Sequence, residues 1–571
     1  MRRTKRFIIL GLISVGMLLY AFNMGNALFW DDADWITNNP CVQEPLQNIG
    51  CLFTRDVLAG IGQTSNYFRP VLMMTFAVNW FVGGEGPFGY HLASNGLHIA
   101  NAVLLFLLLV RLFKDVRVAG VASFLWLIHP LQTEAVAYIS GRGDPLSLFF
   151  MLGGLLSWLY VFRWHRVVAY LCAILAVLSR ETAVLFPVYL MLALLVIDYK
   201  DSLVSSLRRI LKEVWPFFGI SAVYGVLRMT VFNFANTLNW HAVPSDYTEH
   251  ISYRVYTFLQ VLWEYTRLMI APIGLHMERD VPVMTSLWHH KVVGGALVLA
   301  ALLTVSWYLW RRGNRLWAWA VGMFLIPLIP SSGILAPINA RIYEHWLYIS
   351  LIGFALLVAV YGVQWYDALR ARFRGVAVAM LIGVFAYAGF LSIQTIQRNI
   401  LWGQPERFYL HILSYEPSNA RVLNNLANIY AEEGKKDDAE RYWRVAIEVD
   451  KNQPAPYHNI GNLYRDRGDV ESALEWYEKA ITVQPSFWYS YQNMASLLLQ
   501  NRRIAEAVPV LLAWQRVDLL NITTYYTLAQ IYGATGMMRE ARAMLDAGRP
   551  AARAAGVEAE RAFEQLYSQL Q

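Results

Sequence analysis

"MRRTKRFIILGLISVGMLLYAFNMGNALFWDDADW", residues 1–35, contains a basic start, an apolar stretch and an acidic cluster, in that order. The mainly apolar stretch between residues 7 and 29 is long enough to cross a bilayer. No small-residue cleavage pattern precedes the aspartates, so we expect an uncleaved signal anchor whose amino terminus lies inside. Asp31, Asp32 and Asp34 follow at once. Carboxylates at a membrane boundary are costly to desolvate, so they lie either in solvent or in a functional site.

The whole chain is more apolar than a soluble enzyme of its length. Of its 571 residues, 56% are hydrophobic and 16% are charged, and the mean hydropathy is +0.34. This composition predicts a polytopic membrane protein. The net charge of +7 comes from the first 400 residues, because residues 401–571 carry 18 basic and 21 acidic side chains. The positive balance therefore reflects membrane topology, and it argues against nucleic-acid binding.

Eleven apolar segments are candidate membrane spans. They lie near residues 7–29, 89–110, 118–138, 145–162, 167–179, 182–198, 214–234, 292–310, 316–336, 346–366 and 375–394. We interpret a further apolar stretch, 255–275, as interfacial or re-entrant, because Glu264, Arg267 and Pro272 interrupt it. With eleven spans, most basic residues of this region fall in cytoplasmic segments, and the aspartate cluster and the chain after residue 398 lie outside.

An internal period of 34 residues begins near residue 400. Three columns of residues share this spacing: Tyr430, Tyr464, Leu498 and Tyr532; Gly434, Gly468, Arg502 and Gly536; Ala439, Ala473, Ala507 and Ala541. This is the tetratricopeptide pattern, with about four repeats over 420–555. Pro417 and Pro485 fall at helix ends, and Pro417 indicates an additional partial repeat. Such an array is typical of a surface that docks a peptide or protein, although it can also only stabilise the membrane domain.

Three further segments fall on the same predicted side as the aspartates. They are residues 67–80, 129–147 and 336–348, and each combines an arginine with a carboxylate or a histidine at a helix end. Together they predict one polar cavity.

This cavity suits sugar transfer from a lipid-linked phosphate, because arginine presents a fork to phosphate and a carboxylate can accept a hydroxyl proton. Asp31 or Asp32 would be the base, and Arg142, Arg180 and Arg341 are candidates for the phosphate. Taken alone, an arginine at a membrane boundary is more often an interfacial anchor than a ligand.

Three local features have two interpretations each. His129 is either a metal ligand or, as we expect, a histidine hydrogen-bonded at a helix terminus. Cys41 and Cys51 flank a polar loop, so they form a disulfide if the loop faces an oxidising compartment and stay free thiols otherwise. Asp31 and Asp32 would be the ligands of a divalent cation if the protein uses one; the sequence establishes no cofactor.

Several longer segments resemble one known family, the transmembrane and tetratricopeptide repeat-containing O-mannosyltransferases. These enzymes belong to the polytopic, lipid-sugar-dependent glycosyltransferase class called GT-C. The segments that carry the resemblance are "DDADWITNNPCV", "YFRPVLMMTFAVNW", "FGYHLASNGLHIANAVLL", "HPLQTEAVAYISGRGDPLS", "LSRETAVLFPVYL" and "EHWLY". They cover most of residues 26–350, and the repeats follow where the family has them.

The resemblance implies a set of site residues. Asp31 and Asp32 would lie at the catalytic centre, with one of them as base. The walls of the active site would include Asp34, Arg69, His129, Glu134, Arg142, Asp144, Glu181 and Glu344. Arg180 stands where the family usually has lysine, and His345 stands where it usually has arginine. Arg180, Arg341 and His345 would then bind the donor phosphate with Arg142, with Arg341 substituting for the missing cation.

The resemblance also implies a fold and an activity. We expect an all-α protein with a GT-C type membrane domain over 1–398 and a periplasmic tetratricopeptide solenoid over 399–571, in the inner membrane of a bacterium. The expected reaction moves a hexose from a polyprenyl phosphate to a protein hydroxyl, with inversion, on an acceptor docked by the repeats. One alternative is an enzyme of the same fold that glycosylates a lipid or polysaccharide. Another is a non-enzymatic envelope or pilus scaffold. A transporter is disfavoured, because the charges lie at helix ends instead of mid-span.

Overall fold

The computed structural model describes residues 2–61, 63–160, 162–199, 202–234, 245–338, 340–519, 521–555 and 557–570. Within these ranges every regular element is helical and no strand occurs, so the predicted all-α class is confirmed. The chain divides into two compact units, Met1–Phe408 and Tyr409–Gln571.

The first unit is a multi-pass membrane domain. Its helices are α1 Arg2–Tyr20, α2 Pro40–Gln43, α3 Ile49–Thr54, α4 Pro70–Gly83, α5 Pro87–Phe113, α6 Val116–Ile128, α7 Thr133–Ala137, α8 Gly143–Leu159, α9 His165–Ser179, α10 Phe186–Ile197, α11 Leu203–Met229, α12 Asp246–Glu249, α13 Ile251–Ile270, α14 His290–Arg311, α15 Arg315–Leu325, α16 Leu347–Arg372 and α17 Arg374–Leu401. The boundary between the units falls within α18, Pro405–Leu413.

Each of the eleven predicted spans overlaps one of these helices. Six helical segments in the described residues are long and apolar enough to cross a membrane by length and composition: Arg2–Asn23, Pro87–Phe113, Leu203–Met229, His290–Arg311, Glu344–Arg372 and Arg374–Leu401. Others that were predicted as spans, including α6, α9 and α15, are shorter apolar helices.

The predicted span 118–138 is wrong in its second half. Helix α6 ends at Ile128, and His129 has an extended backbone with ψ of 128°. Pro130 explains the break, since the residue before a proline is disfavoured in the α conformation and proline has no N–H for the helix ladder. The chain continues as the 3₁₀ turn Pro130–Gln132 and the short helix α7, both buried.

Two other boundaries differ from expectation. Helix α1 ends at Tyr20 and a 3₁₀ turn follows to Asn23, so residues 24–29 of the predicted first span are not helical. The stretch 255–275 folds as the single continuous helix α13, which ends before Pro272. A continuous helix excludes the re-entrant interpretation of this stretch.

Close helix packing in the first unit depends on glycine. A Cβ atom added at Gly353 on α16 would overlap the backbone of Ala320 on α15, and one added at Gly295 on α14 would overlap the Leu259 carbonyl on α13. Around these contacts the core is aliphatic and aromatic, with Trp126, Trp319 and Tyr348 almost fully enclosed. Helices at this separation leave no room for water, so polar groups that enter need partners.

The second unit is an array of helix pairs. Its helices are α19 Ala420–Glu432, α20 Lys436–Val449, α21 Pro454–Asp466, α22 Val470–Val483, α23 Trp488–Gln500, α24 Ile504–Val517, α25 Ile522–Ala534, α26 Met538–Ala555 and α27 Val557–Gln569. The alanine column predicted from the sequence is fully buried at every repeat. The glycine column provides left-handed turns, with φ of 78° at Gly434, 80° at Gly468 and 81° at Gly536. Arg502 adopts the same conformation, with φ of 59°.

Candidate active site

The three aspartates after α1 lie on a wide helical turn. A π-helix spans Ala33–Thr37, and Trp30 just before the aspartates has φ of 62°. A bulky residue rarely adopts this left-handed conformation, so its surroundings must hold it there. Asp32 is 2% exposed, whereas Asp31 and Asp34 are half-buried.

Asp32 is fixed by a serine from a distant segment. Its Oδ1 accepts a hydrogen bond of 2.7 Å from the Ser140 backbone N–H and one of 2.5 Å from the Ser140 hydroxyl. Burial raises the pKa of Asp32 to about 7, although the Ser140 bonds act in the opposite direction. A carboxylate with a pKa near neutrality can accept and release a proton under ordinary conditions. The pKa of the Asp34 carboxyl is also raised, first by burial and then by Asp31.

The loop after the aspartates is cross-linked. Cys41 and Cys51 form a disulfide, which settles the question that the sequence left open. Asn39 caps α2 by accepting from the Cys41 N–H, and its side-chain amide donates to the Val57 carbonyl at 3.0 Å. The loop that follows the aspartates is therefore held by one covalent bond and by two hydrogen bonds of Asn39.

Two ion pairs lie beside this loop; one is buried, and in the other Glu181 is half-buried. Arg69 contacts Glu181 at 2.9 Å, and Arg180 contacts Asp144 at 2.8 Å. The aromatic ring of Tyr67 lies 4.4 Å from the Arg69 guanidinium. The structure thus brings together four residues that the resemblance assigned to the active site, from three different segments of the chain.

Glu134 and His345 form a third pair in the same region. Glu134 Oε1 lies 2.5 Å from His345 Nδ1, and Glu134 is fully buried. His345 interacts electrostatically with Asp144, Arg180 and Arg69, so it borders both arginine pairs. The other carboxylate oxygens, Glu134 Oε2 and Asp144 Oδ2, are buried and have no hydrogen-bond partner among the described residues.

Glu344 binds arginines that the sequence analysis did not assign to the site. Arg398 on α17 contacts it at 2.8 Å, and Arg279 contacts it at 3.4 Å. The expectation that Arg341 takes the place of the missing cation near Glu344 is not met, because Arg341 contacts Asp280 and the Val281 carbonyl. A lone arginine at the end of an apolar helix was the only sequence signal for Arg398.

Arg142 forms hydrogen bonds that link the start of α8 to α4 and α5. It is fully buried, and its nitrogens donate to Ser94, to Thr75 and Asn79, and to the Tyr90 carbonyl. These four hydrogen bonds use four of the five N–H donors of the guanidinium, which leaves at most one for a phosphate. We therefore leave Arg142 out of the phosphate-binding set.

His129 is also held by the protein backbone. Its Nε2 lies 3.1 Å from the Met269 carbonyl, and its Nδ1 accepts from the Leu131 N–H. This is the hydrogen-bonded histidine at a helix end that the sequence analysis expected. Among the residues that the structure describes, no group of three or more His, Cys, Asp or Glu side chains could hold a metal ion.

Arg180 has N–H donors that the protein does not use in hydrogen bonds between described residues. Its Nε contacts Asp144 Oδ1 at 2.8 Å, and its two terminal nitrogens form no hydrogen bond with a described residue. A guanidinium that binds a carboxylate through one edge only can bind a second anion through its remaining N–H groups. Of the four predicted phosphate ligands, Arg180 and His345 border the ion pairs just described.

Known proteins resemble this chain in both of its units. The family model described as "Tetratricopeptide repeat" matches residues 408–441 and 454–487. A protein O-mannosyl-transferase of Caenorhabditis elegans is 26% identical over 77% of this chain, and the human protein O-mannosyl-transferase TMTC1 is 22% identical over 77%. The resemblance predicted from the motifs is confirmed. This chain spans 62% and 54% of the lengths of those two relatives.

The solved structure of ArnT from Cupriavidus metallidurans, bound to undecaprenyl phosphate, aligns with 86% of this chain and 80% of its own. The TM-score is 0.38 and the identity is 13%. We draw no argument from an alignment at this level.

Proposed function

We propose that this protein is a membrane glycosyltransferase that moves a hexose from a polyprenyl phosphate to a hydroxyl of a protein. The observation that carries the proposal is Asp32, a buried carboxylate fixed by Ser140, which lies four residues before Asp144, the ion-pair partner of Arg180. A positioned base next to phosphate-binding groups is what such a transfer requires. The protein O-mannosyl-transferases that the chain resembles support the same reaction class.

In the proposed mechanism Asp32 takes the proton of the acceptor hydroxyl. The hydroxyl oxygen attacks the anomeric carbon from the face opposite the phosphate, and the bond between that carbon and the phosphate oxygen breaks with its electron pair on the phosphate. A single displacement of this kind inverts the anomeric centre. Arg180 would hold the phosphate through its terminal nitrogens, with His345 beside it.

We further propose a bacterial inner-membrane location with the catalytic loop and the repeats on the periplasmic side. The Cys41–Cys51 disulfide supports an oxidising compartment for the first loop. The acceptor protein would dock on the repeats.

The repeats offer a row of side-chain amides for that docking. Asn459 donates to Asn424 and Asn428, and Asn493 donates to Asn462, at 2.7 to 3.0 Å. Side-chain amides can donate to and accept from the backbone of an extended peptide without reading its side chains. We expect Asn493→Ala to raise the acceptor KM and leave the donor KM unchanged.

The deciding experiment compares Asp32→Asn with Asp367→Asn in purified full-length protein. Asp367 forms an exposed ion pair with Arg117, so the control removes a carboxylate far from the proposed chemistry. Incubation with a polyprenyl-phosphate hexose and a periplasmic protein extract, followed by intact mass, reports transfer. Loss of added hexose in Asp32→Asn alone supports the proposal. Transfer to a lipid or polysaccharide only would mean that the acceptor is not a protein. No transfer by the wild type would favour the non-enzymatic envelope or pilus scaffold.

A further inference from the structure

Five aromatic side chains pack together at the point where the catalytic loop meets the end of the membrane domain. We call this group the aromatic clamp; it consists of Phe29, Trp30, Tyr138, Trp402 and Phe408. Trp402 is central, with ring centroids 5.9 Å from Phe29, 5.4 Å from Tyr138 and 4.4 Å from Phe408. Phe408 in turn lies 5.4 Å from Phe29 and 6.4 Å from Trp30. Trp402 and Phe408 are buried, at 1% and 0% exposure.

The clamp holds both partners of the hydrogen bond that fixes the proposed base. Phe29 and Trp30 directly precede Asp31 and Asp32, and the Phe29 carbonyl accepts from the Asp32 N–H at 3.4 Å. Tyr138 lies two residues before Ser140, and its ring stacks on Trp402 with an interplanar angle of 17°. The left-handed backbone of Trp30 is the kind of strained conformation that surrounding packing must enforce.

Polar contacts from the same end of α17 reinforce the clamp. The Asn26 side-chain amide donates to the Asn399 carbonyl at 2.8 Å, and Asn399 donates to the Leu19 carbonyl at 3.0 Å. Close approach is required here, because a Cβ atom at Gly403 would overlap the Asn26 side chain. Residues 398–408 thus contact the chain on both sides of the 3₁₀ turn Ala21–Asn23, which precedes the aspartates.

We propose that Trp402, at the end of α17, and Phe408, on α18, are positioning residues that set the geometry of Asp32 against Ser140. Neither residue touches a substrate in this role. The inference rests on the proposed function, because it assigns a task to residues outside the site in the same reaction. It makes the segment that leads into the second unit part of the catalytic apparatus.

The test uses a graded pair of substitutions at Trp402. Trp402 Nε1 has no hydrogen-bond partner among the described residues, so Trp402→Phe keeps an aromatic ring and loses no hydrogen bond. Trp402→Leu removes the ring. Trp365→Leu is the matched control, because Trp365 on α16 is 64% exposed.

We expect Trp402→Leu to lower kcat about ten- to hundredfold, the scale of a small misplacement of a catalytic group, with little change in the KM of either substrate. Trp402→Phe should restore most of the activity, and Trp365→Leu should match the wild type. Because a smaller folded fraction also lowers the apparent kcat at unchanged KM, kcat is calculated per folded protein, measured as the monodisperse fraction in size-exclusion chromatography. Equal kcat in Trp402→Leu and Trp365→Leu overturns the proposal. If Trp402→Leu does not yield folded protein, Phe408→Leu replaces it under the same criteria.

A second readout does not depend on transfer. A water-soluble carbodiimide labels buried carboxyls slowly, and fragment ions in tandem mass spectrometry distinguish labelled Asp32 from its neighbours Asp31 and Asp34. We expect Asp32 to label several-fold faster in Trp402→Leu than in Trp365→Leu, and equal rates overturn the positioning role. A wild type that transfers no sugar but shows this difference would refute the proposed function and support the clamp.

Discussion

Ser140→Ala is the substitution that most directly tests how the proposed base is tuned. The serine hydroxyl donates to Asp32 Oδ1 at 2.5 Å, and this bond lowers the pKa of a carboxyl that burial raises to about 7. Removing the hydroxyl keeps Asp32 buried but removes a hydrogen bond that lowers its pKa. The pKa of Asp32 must therefore rise, because the charged form loses a partner that the protonated form needs less.

The size of the shift follows from the strength of the bond. A hydrogen bond to a charged group contributes about 1.5–3 kcal/mol, which corresponds to about one to two pKa units. Starting from a midpoint of about 7, the ionised fraction at pH 7 falls from about one half to about 1–10%, so kcat falls about 5- to 50-fold. Activity should recover as the pH rises through the new midpoint, because the base acts in its deprotonated form.

The assay is the pH dependence of kcat between about pH 5 and about pH 10, with a polyprenyl-phosphate hexose and a protein acceptor at saturation. Ser147→Ala is the control, because Ser147 is equally buried in the same part of the chain but donates to the Asp144 carbonyl. Ser140→Thr keeps the hydroxyl and should stay close to the wild-type profile. A Ser140→Ala profile that superimposes on that of Ser147→Ala would refute the assignment of Asp32 as the titrating base.

Three predictions concern stability and can be checked by thermal unfolding of the purified full chain. Gly295→Ala should lower stability by about 1–3 kcal/mol, because its Cβ meets the Leu259 carbonyl, whereas Gly225→Ala, with open space around it, should not. Arg502→Gly should raise the stability of the repeats by up to about 1 kcal/mol, because it relieves the left-handed backbone that glycine occupies in the other three repeats. Cys41→Ser should cost about 3 kcal/mol, the loop entropy that a disulfide over ten residues removes, and a reductant should have no further effect on this variant.

The sequence predicted the parts of the fold that depend on local pattern. Apolar length located the helices of the membrane domain, and the 34-residue period located the repeats, because each repeat needs the same small residues at the same crossing. Helix ends were less predictable. The break at His129 follows from Pro130, but hydropathy averaged over a window does not detect a single proline inside an apolar run.

The pairings inside the site were not predictable from the sequence. Ser140 and Asp32 are 108 residues apart, and Arg398 and Glu344 are on different helices. Such contacts depend on helix packing, which the spacing of residues along the chain does not encode. The motifs predicted which charged residues would be close together. They gave no way to distinguish Arg180, whose terminal nitrogens are free of hydrogen bonds to described residues, from Arg142, which uses four of its five N–H donors within the protein.

The ion pairs explain why many charged side chains can lie close together in the site. They also leave the site able to bind the sugar phosphate in the proposed reaction. Arg69, Arg180 and Arg398 each face a carboxylate, so the site is close to electrically balanced before a substrate arrives. In the proposed reaction the sugar phosphate enters as a diester with one negative charge and leaves as a monoester with more. A half-occupied guanidinium fork, such as that of Arg180, interacts more strongly as this charge develops. Binding energy is then gained mainly in the transition state, which raises kcat instead of only tightening donor binding.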